Sequence, residues 1–160
     1  MSNHAIGGSR FGLKPRCGKA VPVCPGGVLY AVPMSRFLLV SLGGAIGSGA
    51  RYLVSNWTHA ILGAAFPFGT LAVNVIGSFS ICAVMQLALS PEVIGAELRL
   101  FLTTGILGGF TTYSAFGHET YQLAQRGSYV PAMLYVGTTL VLCFVAAAAG
   151  NAVAKMFAGA

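Results

Sequence analysis

Acidic residues are almost missing from this chain. Its 160 residues hold no aspartate and three glutamates, Glu92, Glu97 and Glu119, against nine lysines and arginines. Charged residues of both signs make up 8% of the sequence and hydrophobic ones 56%, where a soluble domain carries roughly 25% charged residues. That shortage excludes an ordinary water-soluble domain and points to an all-α integral membrane protein. At this length it is one domain. The net charge of +6 is what membrane-flanking residues supply, and it argues against a nucleic-acid partner. Cysteine is scarce as well. Cys17, Cys24, Cys82 and Cys143 form no CxxC pair, and the last two fall in apolar runs, where a thiol behaves as a small hydrophobe. No nucleophile is paired with a base and no metal cluster is visible, so enzyme chemistry is not indicated.

Long apolar runs are present, and there are four. They span about 36–57, 68–89, 100–123 and 129–154. The first carries Gly43, Gly44, Gly47 and Gly49, small residues that let helices approach closely, and Trp57 suits the interface belt. Its one internal charge, Arg51, either snorkels to the interface or lines an anion vestibule. The second run is uncharged but contains Asn74, with Ser78 one turn later on the same face. An amide in hydrocarbon needs partners, so Asn74 faces another helix or a pore. In the fourth run Tyr135, Thr139 and Cys143 stand at i, i+4 and i+8, a polar stripe on an apolar helix.

Residues 1–33 differ in character from the rest of the chain. They hold Gly, Pro and the basic Arg10, Lys14, Arg16 and Lys19, with no spanning run and no apolar core of the kind a signal peptide has. A disordered N-terminal extension is the expectation. A second reading places the natural start at Met34, directly ahead of the first span. Charge bears on this. With four spans both termini share a side, which then carries Arg36, Arg99 and Lys155 against Arg51 and Arg126 opposite. So even a balance sets almost no orientation, and predicts a chain that inserts either way up and forms an antiparallel dual-topology homodimer. The four tail charges would tip it toward one orientation.

The third run is the unusual one. Its centre reads Gly105-Ile106-Leu107-Gly108-Gly109-Phe110-Thr111-Thr112-Tyr113-Ser114, glycines followed by hydroxyl residues, a poor recipe for an unbroken helix. Two readings compete: a glycine-rich packing face, or a helix broken at mid-membrane. A break frees carbonyls for a cation and N–H groups for an anion, and is tolerated in hydrocarbon only beside protein or a wet path. Tyr113 and Phe116 lie three apart and could turn two electropositive ring edges to one path, although core packing accounts for such a pair equally simply. His118 and Glu119, adjacent and therefore on different helix faces, read as interfacial. With no carboxylate inside the first, second or fourth span, the inventory of hydroxyls, one amide and aromatics suits an ion held by hydrogen bonds and dipoles.

At these residues the chain resembles the Fluc/CrcB family of fluoride channels over Met34 to Ala160. The markers are Gly43-Gly44-Ala45-Ile46-Gly47 with Arg51-Tyr52, then Phe68-Gly69-Thr70-Leu71-Ala72-Val73-Asn74-Val75-Ile76-Gly77-Ser78, then Gly108-Gly109-Phe110-Thr111-Thr112-Tyr113-Ser114. The resemblance implies an antiparallel homodimer in the cell (inner) membrane, with two pores that pass fluoride down its gradient. It implies a structural Na⁺ held by backbone carbonyls of Gly108 and Thr111 of both subunits. It places Asn74, Tyr113, Phe116, Tyr135 and Thr139 along the fluoride pathway, with Thr112 and Ser114 lining it or supporting the break and Arg51 near the vestibule. Cys143 stands where a serine is found, Tyr113 where the family has phenylalanine, and Ala115 where it has threonine. Two readings from other classes are a small dual-topology drug or cation exporter and a membrane subunit with no transport of its own.

Overall fold

The computed structural model describes residues 33–89 and 93–158; the expectations for residues 1–32, with Cys17 and Cys24, lie outside them. Every regular element among the described residues is helical. Pro33 caps the start of α1 (Met34–Leu62), whose end is set by Gly63 at φ 77°, a left-handed conformation suited to glycine. Pro67 then precedes α2 (Phe68–Leu87). The next helical stretch is composite. α3 (Ala96–Leu100) passes into seven π-helical residues, Phe101–Leu107, and then into the short α4 (Gly108–Phe110). Thr111 and Thr112 are extended, and α5 (Tyr113–Gln125) begins after them. Gly127, at φ 74°, turns the chain into α6 (Tyr129–Ala158).

Three of these helices, α1, α2 and α6, are long and apolar enough to cross a membrane, with mean hydropathy of 1.4, 1.8 and 2.1 in their most apolar windows. The chain is a multi-pass membrane protein by that measure. Its surface agrees: Phe37, Leu42, Leu53, Trp57, Met133, Phe144 and Phe157 are all more than half exposed, which in water would be an aggregation surface. The fully buried side chains are few, led by Val73 on α2 and Tyr135 on α6.

The elements are ordered by two ends. Arg36, in the first turn of α1, forms an ion pair of 2.9 Å with Glu97, in the first turn of α3. At the other end, His59 of α1, Gln122 of α5 and Arg126, just past the end of α5, line one pocket. The composite stretch α3–α5 therefore runs alongside α1 in the same direction, over a length of roughly 40 Å. α2 packs chiefly on α6.

Glycine makes this packing possible. A Cβ added to Gly43 would stand 2.9 Å from Gly105 Cα, and one on Gly47 would run into the Ile106 carbonyl. Gly109 is pressed against the Gly44 backbone in the same way. The glycines of the third run thus remain helical and serve as a packing face. The interruption falls just beyond them, at Thr111-Thr112. Both sequence readings hold, on neighbouring residues. On the other side of the molecule Gly150 of α6 meets the Phe79 carbonyl of α2.

Candidate ion pathway

The interruption is held by one side chain. Asn74 of α2 donates from Nδ2 to the Thr112 carbonyl at 3.1 Å and accepts the Thr112 N–H on Oδ1 at 2.9 Å. Both ends of the amide are used, so the extended residue is satisfied as if by a neighbouring strand. Thr112 in turn caps α5, its Oγ1 accepting from Ala115 N at 3.2 Å and lying 3.3 Å from Ser114 Oγ. Asn74 also has its own carbonyl bonded by Ser78 Oγ at 2.7 Å.

These bonds redirect the amides that an unbroken helix would turn back on itself. Thr112 N, the helical donor for Gly108 O, is committed to Asn74. Ala115 N, the helical donor for Thr111 O, is committed to Thr112 Oγ1. The carbonyls of Gly108 and Thr111 are therefore among those at the end of α4 that lose their helical donors, and carbonyl oxygens are the donor type a hard cation takes. No cluster of three His, Cys, Asp or Glu side chains with metal-binding geometry occurs among the described residues. The donor set fits an alkali cation on backbone oxygens and gives no basis for a transition metal.

Beside the break lies an open pocket of about 300 Å³. Asn74, Gly77, Ser78 and Ile81 of α2 form one wall, Thr111, Thr112, Tyr113 and Phe116 a second, and Thr139, Leu140 and Cys143 of α6 the third. Thr139 is 5% exposed and its Oγ1 has no hydrogen-bond partner. A buried hydroxyl without a partner is costly in a folded protein, and here its residue lines the pocket.

Aromatic rings continue from the pocket into the protein. Tyr113 and Phe116 have centroids 5.8 Å apart, Phe116 and Tyr135 5.1 Å, and Tyr135 and Phe66 5.3 Å in an edge-on arrangement. Tyr113 is 82% exposed while Phe116 is buried, so the first ring stands at the open side of the monomer. The fully buried Tyr135 donates its hydroxyl to Glu119 Oε2 at 2.7 Å, and Thr70 donates to Oε1 at 2.8 Å. Glu119 is thus bound between α2 and α6, by partners that its reading as an interfacial residue did not name. Comparing it with adjacent His118 hid the useful spacing: Phe116 and Glu119, three apart, share a face of α5. Thr70 was also missed, although Thr70, Asn74 and Ser78 recur every fourth residue along α2.

Glu119 also belongs to a second pocket, of about 390 Å³, with His59, Pro67, His118, Gln122 and Arg126. Among the residues expected along a pathway, the structure brings Asn74, Thr112, Tyr113, Phe116 and Thr139 into the first pocket and sets Tyr135 behind Phe116. Ser114 is exposed and touches the site through Thr112. Arg51, half-buried on α1, lines neither pocket.

A multi-pass helical protein with a pocket that includes amide and hydroxyl side chains at a clamped helix break falls in the class of small membrane proteins that handle ions. The chain belongs to the CrcB family: residues 38–151 match the model for CrcB-like protein, Camphor Resistance (CrcB). It is 49% identical to the fluoride-specific ion channel FluC of Anaeromyxobacter sp. (strain K), over 79% of this chain and 100% of that one. Identity is 46% both to FluC of Sorangium cellulosum, over 76% and 96% of the two chains, and to FluC of Geobacter sulfurreducens, over 76% and 98%.

Proposed function

We propose that this protein is a fluoride channel, not an enzyme, and that it lets fluoride leave the cell passively across the inner membrane. The observation that carries the reading is the pocket at the break, where a buried Thr139 hydroxyl waits without a protein partner beside Asn74, Thr112 and Phe116. Fluoride is small and strongly hydrated. Hydroxyl donors and ring edges can replace its water without binding it too tightly to leave, and the names of the relatives supply the ion. Those relatives do not favour a drug or cation exporter or a subunit without transport.

In this reading α3–α5 is the third of four crossings, interrupted at its middle, and the working unit is an antiparallel homodimer seated in lipid. The course of α3–α5 beside α1, from the Arg36–Glu97 pair to the His59 end, supports the crossing. The exposed apolar sides and the exposed Tyr113 ring support a second copy. A structural Na⁺ would take the Gly108 and Thr111 carbonyls of both copies, adding fixed charge that holds the two breaks together. Tyr113, Phe116, Tyr135, Thr139, Thr112 and Ser114 line or support the path, Asn74 shapes it, and Arg51 stands at a vestibule.

The test is efflux from liposomes loaded with potassium fluoride or potassium chloride and triggered with a potassium ionophore. Fluoride release without chloride release is expected; equal release of both, or none from dimeric protein, would overturn the reading. The sodium site has its own readout. Replacing Na⁺ by a large organic cation should lower the unfolding temperature of the dimer in detergent, and an unchanged temperature would remove the ion from the structure.

A further inference from the structure

The pocket contains a thiol. Cys143 stands on α6 one turn beyond Thr139 and lines the same wall. It is a free cysteine, half-buried, and its companions in the lining include Asn74, Ser78 and Thr112. Cys82, the other free cysteine among the described residues, sits on α2 and is not one of the residues that line the pocket. A cavity of about 300 Å³ has room for several waters, each occupying roughly 30 Å³ of liquid, and so for a small reagent. The neighbouring Thr139, 5% exposed and with its hydroxyl unpartnered, lines the same pocket. Sulfur differs from the hydroxyls around it: it is soft, polarisable, and reacts with thiophiles that leave alcohols untouched.

We propose that Cys143 is a modification site inside the ion path for small soft electrophiles, whose attachment closes the path. The proposal rests on the channel reading above. A soft monovalent cation such as silver forms an S–Ag bond in place of S–H and releases the proton to water, with no change of oxidation state. Methyl methanethiosulfonate reacts by exchange. The thiol proton goes to water, the sulfur attacks the sulfenyl sulfur to form an S–S bond, and methanesulfinate leaves with the electrons of the broken S–S bond. The cysteine sulfur is oxidised and the reagent's sulfonyl sulfur reduced. Either product obstructs an anion: the methylthio group fills the pocket, and bound silver fixes a cation where passage requires weak, reversible binding.

The experiment uses the full chain in liposomes, treated with methyl methanethiosulfonate and read by peptide mass and by fluoride efflux. Cys143 should be labelled ahead of Cys82, external fluoride should slow that labelling, and efflux should fall by about tenfold or more as labelling completes. A thiol reductant should restore it. Cys82→Ser and Cys17→Ser/Cys24→Ser proteins should be inhibited in the same way, while Cys143→Ser should keep its own untreated rate after the reagent. Labelled Cys143 with unchanged efflux, inhibition that persists in Cys143→Ser, or a Cys143 that stays unlabelled would each overturn the proposal. Protein that passes no fluoride before treatment would instead count against the channel reading, and the peptide masses would still show whether the thiol is reached.

Discussion

The side chain of Asn74 grips the backbone of Thr112 from both sides, accepting its N–H at 2.9 Å and donating to its carbonyl at 3.1 Å. No other residue among those described bonds both backbone groups of the break. The start of α5 is held by this pair, and its further course by Glu119 on Thr70 and Tyr135.

Asn74→Ala removes both bonds and leaves two backbone groups of the break without partners, at about 1–3 kcal/mol each. Fluoride efflux should be lost and the unfolding temperature in detergent should drop. Asn74→Asp keeps the acceptor but faces the Thr112 carbonyl with a second acceptor, so it should rescue little. Normal efflux from either variant would show that the clamp is dispensable.

Glu119 accepts from Tyr135 and from Thr70, so substitutions along this chain should not add. Tyr135→Phe and Glu119→Gln are each expected to destabilise by about 1–3 kcal/mol, the cost of leaving a buried donor or acceptor without its partner. The double variant should fall short of the sum by at least about 0.5 kcal/mol. Strict additivity in denaturation of the purified protein would mean the three side chains do not act together.

Glycine positions should separate cleanly. Gly47→Ala places a methyl against the Ile106 carbonyl, and Gly109→Ala one against the Gly44 backbone; overpacking of this kind costs about 1–3 kcal/mol. Gly137 has open space around its missing Cβ. Gly137→Ala should leave stability unchanged or raise it by about 0.5–1 kcal/mol through helix propensity. Thermal unfolding of the three variants side by side decides it.

The Arg36–Glu97 pair is about half exposed on both sides, and exposed pairs contribute roughly 0–1 kcal/mol. Glu97→Gln should barely move the unfolding temperature, and any effect should vanish in high salt. A large loss would mean the pair is shielded by lipid or a second copy.

Tyr113 and Phe116 should respond differently to truncation. Tyr113→Phe keeps the ring beside Phe116 and should retain fluoride efflux, whereas Phe116→Ile removes a buried ring that touches both Tyr113 and Tyr135 and should abolish it. Efflux unaffected by the second change would displace the path from these rings.

Much of this was legible in the residues because hydrophobic runs and polar spacing are local signals. The scarcity of charge announced the membrane. The glycine-then-hydroxyl stretch from Gly105 to Ser114 brackets the interruption at Thr111-Thr112, and the spacing of Tyr135, Thr139 and Cys143 put three polar groups on one line of α6. What stayed hidden depends on partners distant in sequence. The amide of Asn74 could be assigned to a helix or a pore, but not to Thr112, thirty-eight residues on. Glu119 reads as interfacial from its place near the end of the run, while its partners Thr70 and Tyr135 come from two other helices. The π-helical residues 101–107 carry no composition of their own that distinguishes them from an ordinary apolar helix.

That π-helical stretch has a mechanical meaning. A residue advances an α-helix by about 100°, so each extra residue taken up in a wider turn rotates everything after it. Phe101–Leu107 places Gly105 against Gly43 and hands on to α4, where Gly109 meets the Gly44 backbone. The segment sets the angular phase between two contacts on one neighbour. Deleting a single residue there, without changing any side chain in the pocket, would swing Gly109 away from Gly44 by more than a quarter of a turn.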